Sequence, residues 1–155
     1  MTVNFQLNIL SYLVLDPLAI KYVTSIELGY LQDSQCNFFF GCIQEYYNQF
    51  GQIPSQDNLF NYCVHKFKPE ERDGVSAKMA NTLTLIYQNP IKDFKYAEQE
   101  IVLGITKSNL QKFLFNMSDT LSSATSKDVL KSEFNEAIKI LSKFDSEKVE
   151  TEYLF

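Results

Sequence analysis

The segment Ser34–Phe50, SQCNFFFGCIQEYYNQF, restricts the folds open to this chain more than any other. On a helical wheel Cys36, Phe38, Phe39, Phe40, Cys42, Ile43, Tyr46, Tyr47 and Phe50 reach nearly every side, and a helix apolar almost all round is a buried one. Asp33 is placed to cap its N-terminus, and Gly51 to take the left-handed position behind its last turn. A strand is the rival reading, because aromatic residues suit strands. The length of the segment and the helical spacing of Gln44, Glu45, Asn48 and Gln49 argue against it. Gly41 costs a helix interior about 1 kcal/mol against alanine, so another backbone is expected to approach there. The segment reads as the core helix of a small helical head.

The remaining segments supply the walls. Val3–Leu15 carries an apolar stripe of Phe5, Leu7, Ile9, Leu10, Leu13 and Val14. Asp16-Pro17 ends that helix and starts a second, Pro17–Ile26, expected to bury Leu18, Ile20, Val23 and Ile26. A connector containing Gly29 follows, with Tyr30 and Leu31 tucked beneath it. Ser55 caps a fourth helix whose inner face is Leu59, Phe60, Cys63, Val64 and Phe67. Pro69 restarts a helix with Val75, Met79, Leu83, Ile86 and Tyr87 at helical spacing, and Asn89-Pro90 stops it. Asp93–Ser122 reads as one long helix. After a polar turn, Thr125 with Asp128 resembles a capping box for a last helix to about Phe144. The expected fold is all-α: a head of about five helices over 1–90, an antiparallel helical hairpin over 91–145, and an acidic tail, 146–155, expected to lead into a linker.

Little catalytic equipment is visible. The five glycines form no phosphate-binding loop, and Gly104-Ile-Thr-Lys107 lies inside the long helix. Cys36, Cys42 and Cys63 form no C-x-x-C pair and read as buried free thiols of a reducing compartment. His65 stands alone, so no zinc site is expected, and two residues from Cys63 it points to another side of its helix. Carboxylates such as Glu98 with Glu100, or Glu70 with Asp73, read as solvated helix charges. No cofactor and no metal is expected. The formal charge of −5, without a basic stripe, argues against direct nucleic-acid binding. The N-terminus lacks the pattern of a signal peptide, and no apolar run approaches the ~18–20 residues of a membrane span. A soluble cytoplasmic protein with no membrane partner is expected.

The long helix is more informative. Tyr96, Leu103, Leu110, Leu114, Met117 and Leu121 share one face along its length, and Phe94, Ala97, Ile101 and Ile105 form a second in its first half. Its hairpin mate offers Leu130, Phe134, Ile138 and Leu141. Phe113 lies at the edge of the expected seam and Phe115 on the polar side. The expected self-association and contact residues are Leu103, Leu110, Phe113, Leu114, Phe115, Met117, Leu121, Phe134, Ile138 and Leu141.

The run Ile9-Leu-Ser-Tyr-Leu-Val-Leu-Asp-Pro-Leu-Ala-Ile20 resembles the opening of the N-terminal domain of DnaB-type replicative DNA helicases. The stretch Asn37–Tyr47, the turn Gly51-Gln-Ile-Pro-Ser55 and Leu59 resemble the same family, and EYYNQFGQIPSQDNL is closest in form to its T-even phage branch. So are the order Leu83–Pro90, the long helix with Glu98-Gln-Glu100, and the closing Ala137-Ile-Lys-Ile-Leu-Ser-Lys-Phe144. The resemblance covers about residues 7–145 and rests on packing patterns. It implies a non-catalytic collar domain of a hexameric helicase that assembles with itself and meets primase or a helicase loader, in the host cytoplasm if phage-encoded. No Walker A or B motif follows, so this chain is not expected to unwind DNA alone. A free-standing adaptor, loader or inhibitor that binds a helicase is one alternative. An enzyme with an unrecognised site is another.

Overall fold

Helix formation starts where the sequence places its caps. The computed structural model describes residues 1–89, 93–123 and 126–153, and the side chains of these except at 121–122 and 143–153. Among the described residues it is all-α, with seven helices and no strand: α1 Val3–Leu15, α2 Ile20–Val23, α3 Ser34–Phe50, α4 Gln56–Val64, α5 Arg72–Tyr87, α6 Lys95–Ser123 and α7 Lys127–Tyr153. Thr2, Asp33 and Ser55 cap α1, α3 and α4, each accepting a first-turn backbone N–H. Gly51 closes α3 with φ +70°, the left-handed conformation in which a side chain is strained.

The chain forms two compact units, Met1–Glu98 and Gln99–Phe155. In the first, α3 packs against α1, α2 and α4, and α5 packs against α1 and α4, so four helices close a cycle of neighbours. Phe39, Phe40 and Ile43 of α3 are fully buried, together with Ile9 and Leu10 of α1, Leu59 and Cys63 of α4, and Leu83 and Ile86 of α5. The polar groups drawn into this core are bonded. The buried Gln6 side chain accepts the Asp33 N–H at 2.8 Å, and Gln44 donates to the carbonyls of Val23 and Ile26, each at 2.8 Å.

The unit boundary falls later than residue 90 because the start of α6 belongs to the first unit. Phe94 lies against Tyr12 with ring centroids 5.5 Å apart, Tyr22 donates its hydroxyl proton to Glu98 at 3.2 Å, and Ala97 is fully buried.

Several expectations need correction. The second helix is a 3-10 turn, Pro17–Ala19, followed by the short α2. Asp16 caps that turn by accepting the Leu18 N–H at 2.9 Å, and the tighter winding shifts which residues face inward. Ala19, Tyr22, Val23 and Ile26 are buried, while Leu18 is 74% exposed and Ile20 points outward. Pro69–Glu71 is likewise a 3-10 turn ahead of α5. Helix α7 runs to Tyr153 rather than stopping near Phe144, since no Pro or Gly interrupts it. Pro90 and Thr125, the expected stop and cap, lie outside the described residues. No backbone approaches Gly41: a Cβ there would meet the tip of the Leu28 side chain at 3.3 Å.

Two stability predictions follow from these contacts. Leu28 is itself 63% exposed and free to shift, so Gly41→Ala should stabilise the head by about 0.5–1 kcal/mol in chemical denaturation. Loss of stability would mean that Leu28 cannot yield.

Accepting the Cys36 N–H holds the Asp33 carboxyl below the usual carboxylate range. Asp33→Ala should cost about 1 kcal/mol at neutral pH and Asp33→Asn less. Because the folded pKa is the lower one, the charge-dependent margin is present above the unfolded value of 3.8 and disappears as pH falls through the folded value. Stability measured against pH should show that loss in the wild type and not in Asp33→Asn.

Candidate interaction surface

Chemistry is sparse among the described side chains. No group of three or more His, Cys, Asp or Glu is placed to hold a metal ion. Cys36, Cys42 and Cys63 are free and buried. Burial pushes the Cys36 thiol up to about 12, so it carries no nucleophilic thiolate at neutral pH. A hydrogen bond with the Cys42 thiol, then burial, pushes Cys63 up as well. His65 is exposed and bonds through Nδ1 to the Asn61 carbonyl oxygen, within its own helix. Over α3 and α4, Glu45 pairs with Lys66 and accepts the Tyr62 hydroxyl at 3.1 Å, while Tyr62 packs edge-on to Tyr46. That cluster ties two helices together at the surface, where an ion pair contributes little. No single described helix is long and apolar enough to cross a membrane.

Among the described residues of the second unit, Leu114, Phe115, Val129, Phe134, Ile138 and Leu141 are exposed apolar side chains. On α6 the less exposed positions recur as Leu110, Phe113, Met117 and Thr120, and on α7 as Leu130, Glu133, Ala137 and Ile140. Steps of three and four residues are those by which one helix lies along another. Met117 of α6 and Leu130 and Phe134 of α7 also border a common concavity of about 740 Å³.

This places the ten expected contact residues in different settings. Leu103, Leu110 and Met117 are half-buried, and Phe113, expected at the edge, is buried. Leu114, expected in the seam, is 60% exposed, with Phe134 at 60%, Ile138 at 48% and Leu141 at 47%. Phe115 is the most exposed of all at 72%. The side chain of Leu121 lies outside the described residues. Leu114 and Phe113 flank Leu110 and Met117 on opposite sides of the helix, and the covered stripe takes Phe113, expected only at the edge, rather than Leu114. Val102, buried on α6, was not anticipated; it stands beside Ile101, whose apolar face was.

The chain matches no protein-family model, no curated protein and no solved structure.

The burial difference between adjacent phenylalanines is measurable. Phe113→Ala should cost about 3 kcal/mol through transfer and cavity terms, whereas Phe115→Ala should cost under ~0.5 kcal/mol as a surface change. Equal losses in thermal and chemical denaturation would contradict the covered stripe.

Proposed function

We propose that this chain is a non-catalytic assembly module, whose two long helices join it to further copies of itself. The observation that carries the reading is the exposure of Phe134, Ile138 and Leu141 on α7 and of Leu114 and Phe115 on α6. If α6 and α7 pair antiparallel, as the sequence reading expects, Leu114 comes level with the interval between Phe134 and Ile138. Rotation of 100° per residue then puts Leu114 and the α7 stripe on the same side of the hairpin. Together they offer on the order of 400 Å² of apolar surface, a size that marks contact sites on single chains. Two hairpins facing each other through such sides would complete a four-helix core.

The sequence resemblance gives this role a setting. It points to the collar of a hexameric replicative DNA helicase, where the domain assembles the ring and meets primase or a loader while a separate motor hydrolyses nucleotide. The acidic balance of the chain supports protein contacts over phosphate-backbone contacts.

Sedimentation velocity across a range of concentrations tests the assembly reading. The wild type should self-associate. Phe134→Ala and Phe115→Ala should retain helix content while weakening association by about 1 kcal/mol or more, roughly fivefold in Kd. A wild type that stays monomeric throughout overturns hairpin-driven assembly; unchanged association in both variants moves the contact elsewhere. Reading the coding sequence beyond Phe155 for a P-loop distinguishes a helicase collar from a free-standing adaptor.

A further inference from the structure

The head carries a second open surface, distinct from the long helices. Asn4 and Asn8, one turn apart on α1, stand along a groove of about 500 Å³ bordered opposite by Leu85, Asn89, Asp93 and Tyr96. Its aromatic part is the Phe5–Tyr96 pair, with ring centroids 5.1 Å apart. Leu85 and Tyr96 are 62% and 57% exposed, so the apolar lining is uncovered. The Asn89 amide donates to the Asn8 side-chain oxygen at 3.0 Å, and the Asn8 amide donates to the Asp93 carbonyl at 3.5 Å. These bonds hold Asn8 at the groove. One turn earlier, the Asn4 amide makes no hydrogen bond among the described residues, and the Asp93 carboxylate makes no ion pair there.

We infer that this groove receives an extended peptide segment of a partner protein, one that sets an apolar side chain close to a lysine or arginine. Residues four apart on a helix are about 6 Å apart along its axis. An extended chain repeats its side-facing backbone groups every two residues, about 6.6–6.8 Å. Asn4 and Asn8 therefore match successive backbone groups of such a segment, Asn4 with its whole amide and Asn8 with the second N–H and oxygen lone pair that Asp93 and Asn89 leave unused. A helical partner would not use them, because its mid-helix backbone groups are already bonded internally. The apolar side chain covers Leu85, Tyr96 and Phe5, and the cation meets Asp93. A nucleic-acid strand or an anionic lipid surface fits poorly, since among the described residues the one formal charge bordering the groove is negative.

The test uses the full chain, isotopically labelled, titrated with acetylated and amidated six-residue peptides that alternate leucine with lysine, serine or glutamate. The leucine–lysine peptide should shift the amide signals of Asn4, Asn8 and Tyr96, binding about two- to fivefold tighter than the serine form and tighter still than the glutamate form. Asp93→Asn should remove most of the lysine preference, and Leu85→Ser should weaken all three peptides alike. Both positions are exposed, and unchanged signals from Phe39 and Ile43 would verify the fold. Shifts confined to other surfaces, no shifts at all, or a lysine preference that survives Asp93→Asn would overturn the inference. So would equal occupation of the groove by an amphipathic helical peptide.

Discussion

Burial of α3 is the constraint from which the head is built. Seventeen residues, Ser34–Phe50, bring three adjacent phenylalanines and two cysteines onto one short helix. No single neighbour can cover so wide an apolar surface. Helices α1, α2 and α4 pack against α3, and α5 bridges α1 and α4 and meets α3 through the Gln35–Thr82 hydrogen bond. Apolar area removed from water supplies the driving force at about 25 cal/mol per Å². The sharp caps at Asp33 and Gly51 keep that area on a helix of defined length.

Such a core tolerates polar groups only when they are satisfied, and no buried side-chain nitrogen or oxygen among the described residues lacks a partner. Gln6 and Gln44 each hold backbone groups from a different segment: Gln6 the residue that caps α3, Gln44 the exit of α2. The same economy fixes the entry of α6. Phe94, Ala97 and Glu98 engage α1 and α2 through ring packing, burial and a tyrosine hydroxyl. A helix that starts inside the head is thereby anchored before it leaves the first unit.

Beyond Glu98 the balance between covered and uncovered apolar surface changes. In the head, Phe39, Phe40 and Ile43 of α3 are fully buried; in the second unit, Phe134, Ile138 and Leu141 of α7 leave about half of their surface exposed. Leaving large apolar side chains in water sacrifices stabilisation that a partner can recover. The proposed assembly role uses that difference. The groove on α1 is of another kind, with amides and a carboxylate beside a small apolar lining, and suits a short peptide rather than a second long helix.

The all-α class, the limits of α1 and α3, and the caps Asp33, Ser55 and Gly51 were legible in the sequence, because each is set by neighbours within a few residues. Local chemistry also marked Asp16-Pro17 as a break, but not the 3-10 winding that turns Leu18 and Ile20 outward and Ala19 inward. That winding depends on how the segment is held against α1 and α3. Gly41 showed the same limit: its presence inside α3 signalled close packing, yet only the fold decided that the neighbour is the Leu28 side chain rather than a backbone. On α6, helical periodicity placed Leu110, Leu114 and Met117 on a common face with Phe113 at its edge, whereas Phe113 is buried and Leu114 exposed. Burial depends on what packs against a helix, and the periodicity of one helix cannot encode that. The groove of Asn4, Asn8 and Asp93 left no sequence signal, since its two sides are joined across more than eighty positions by tertiary hydrogen bonds.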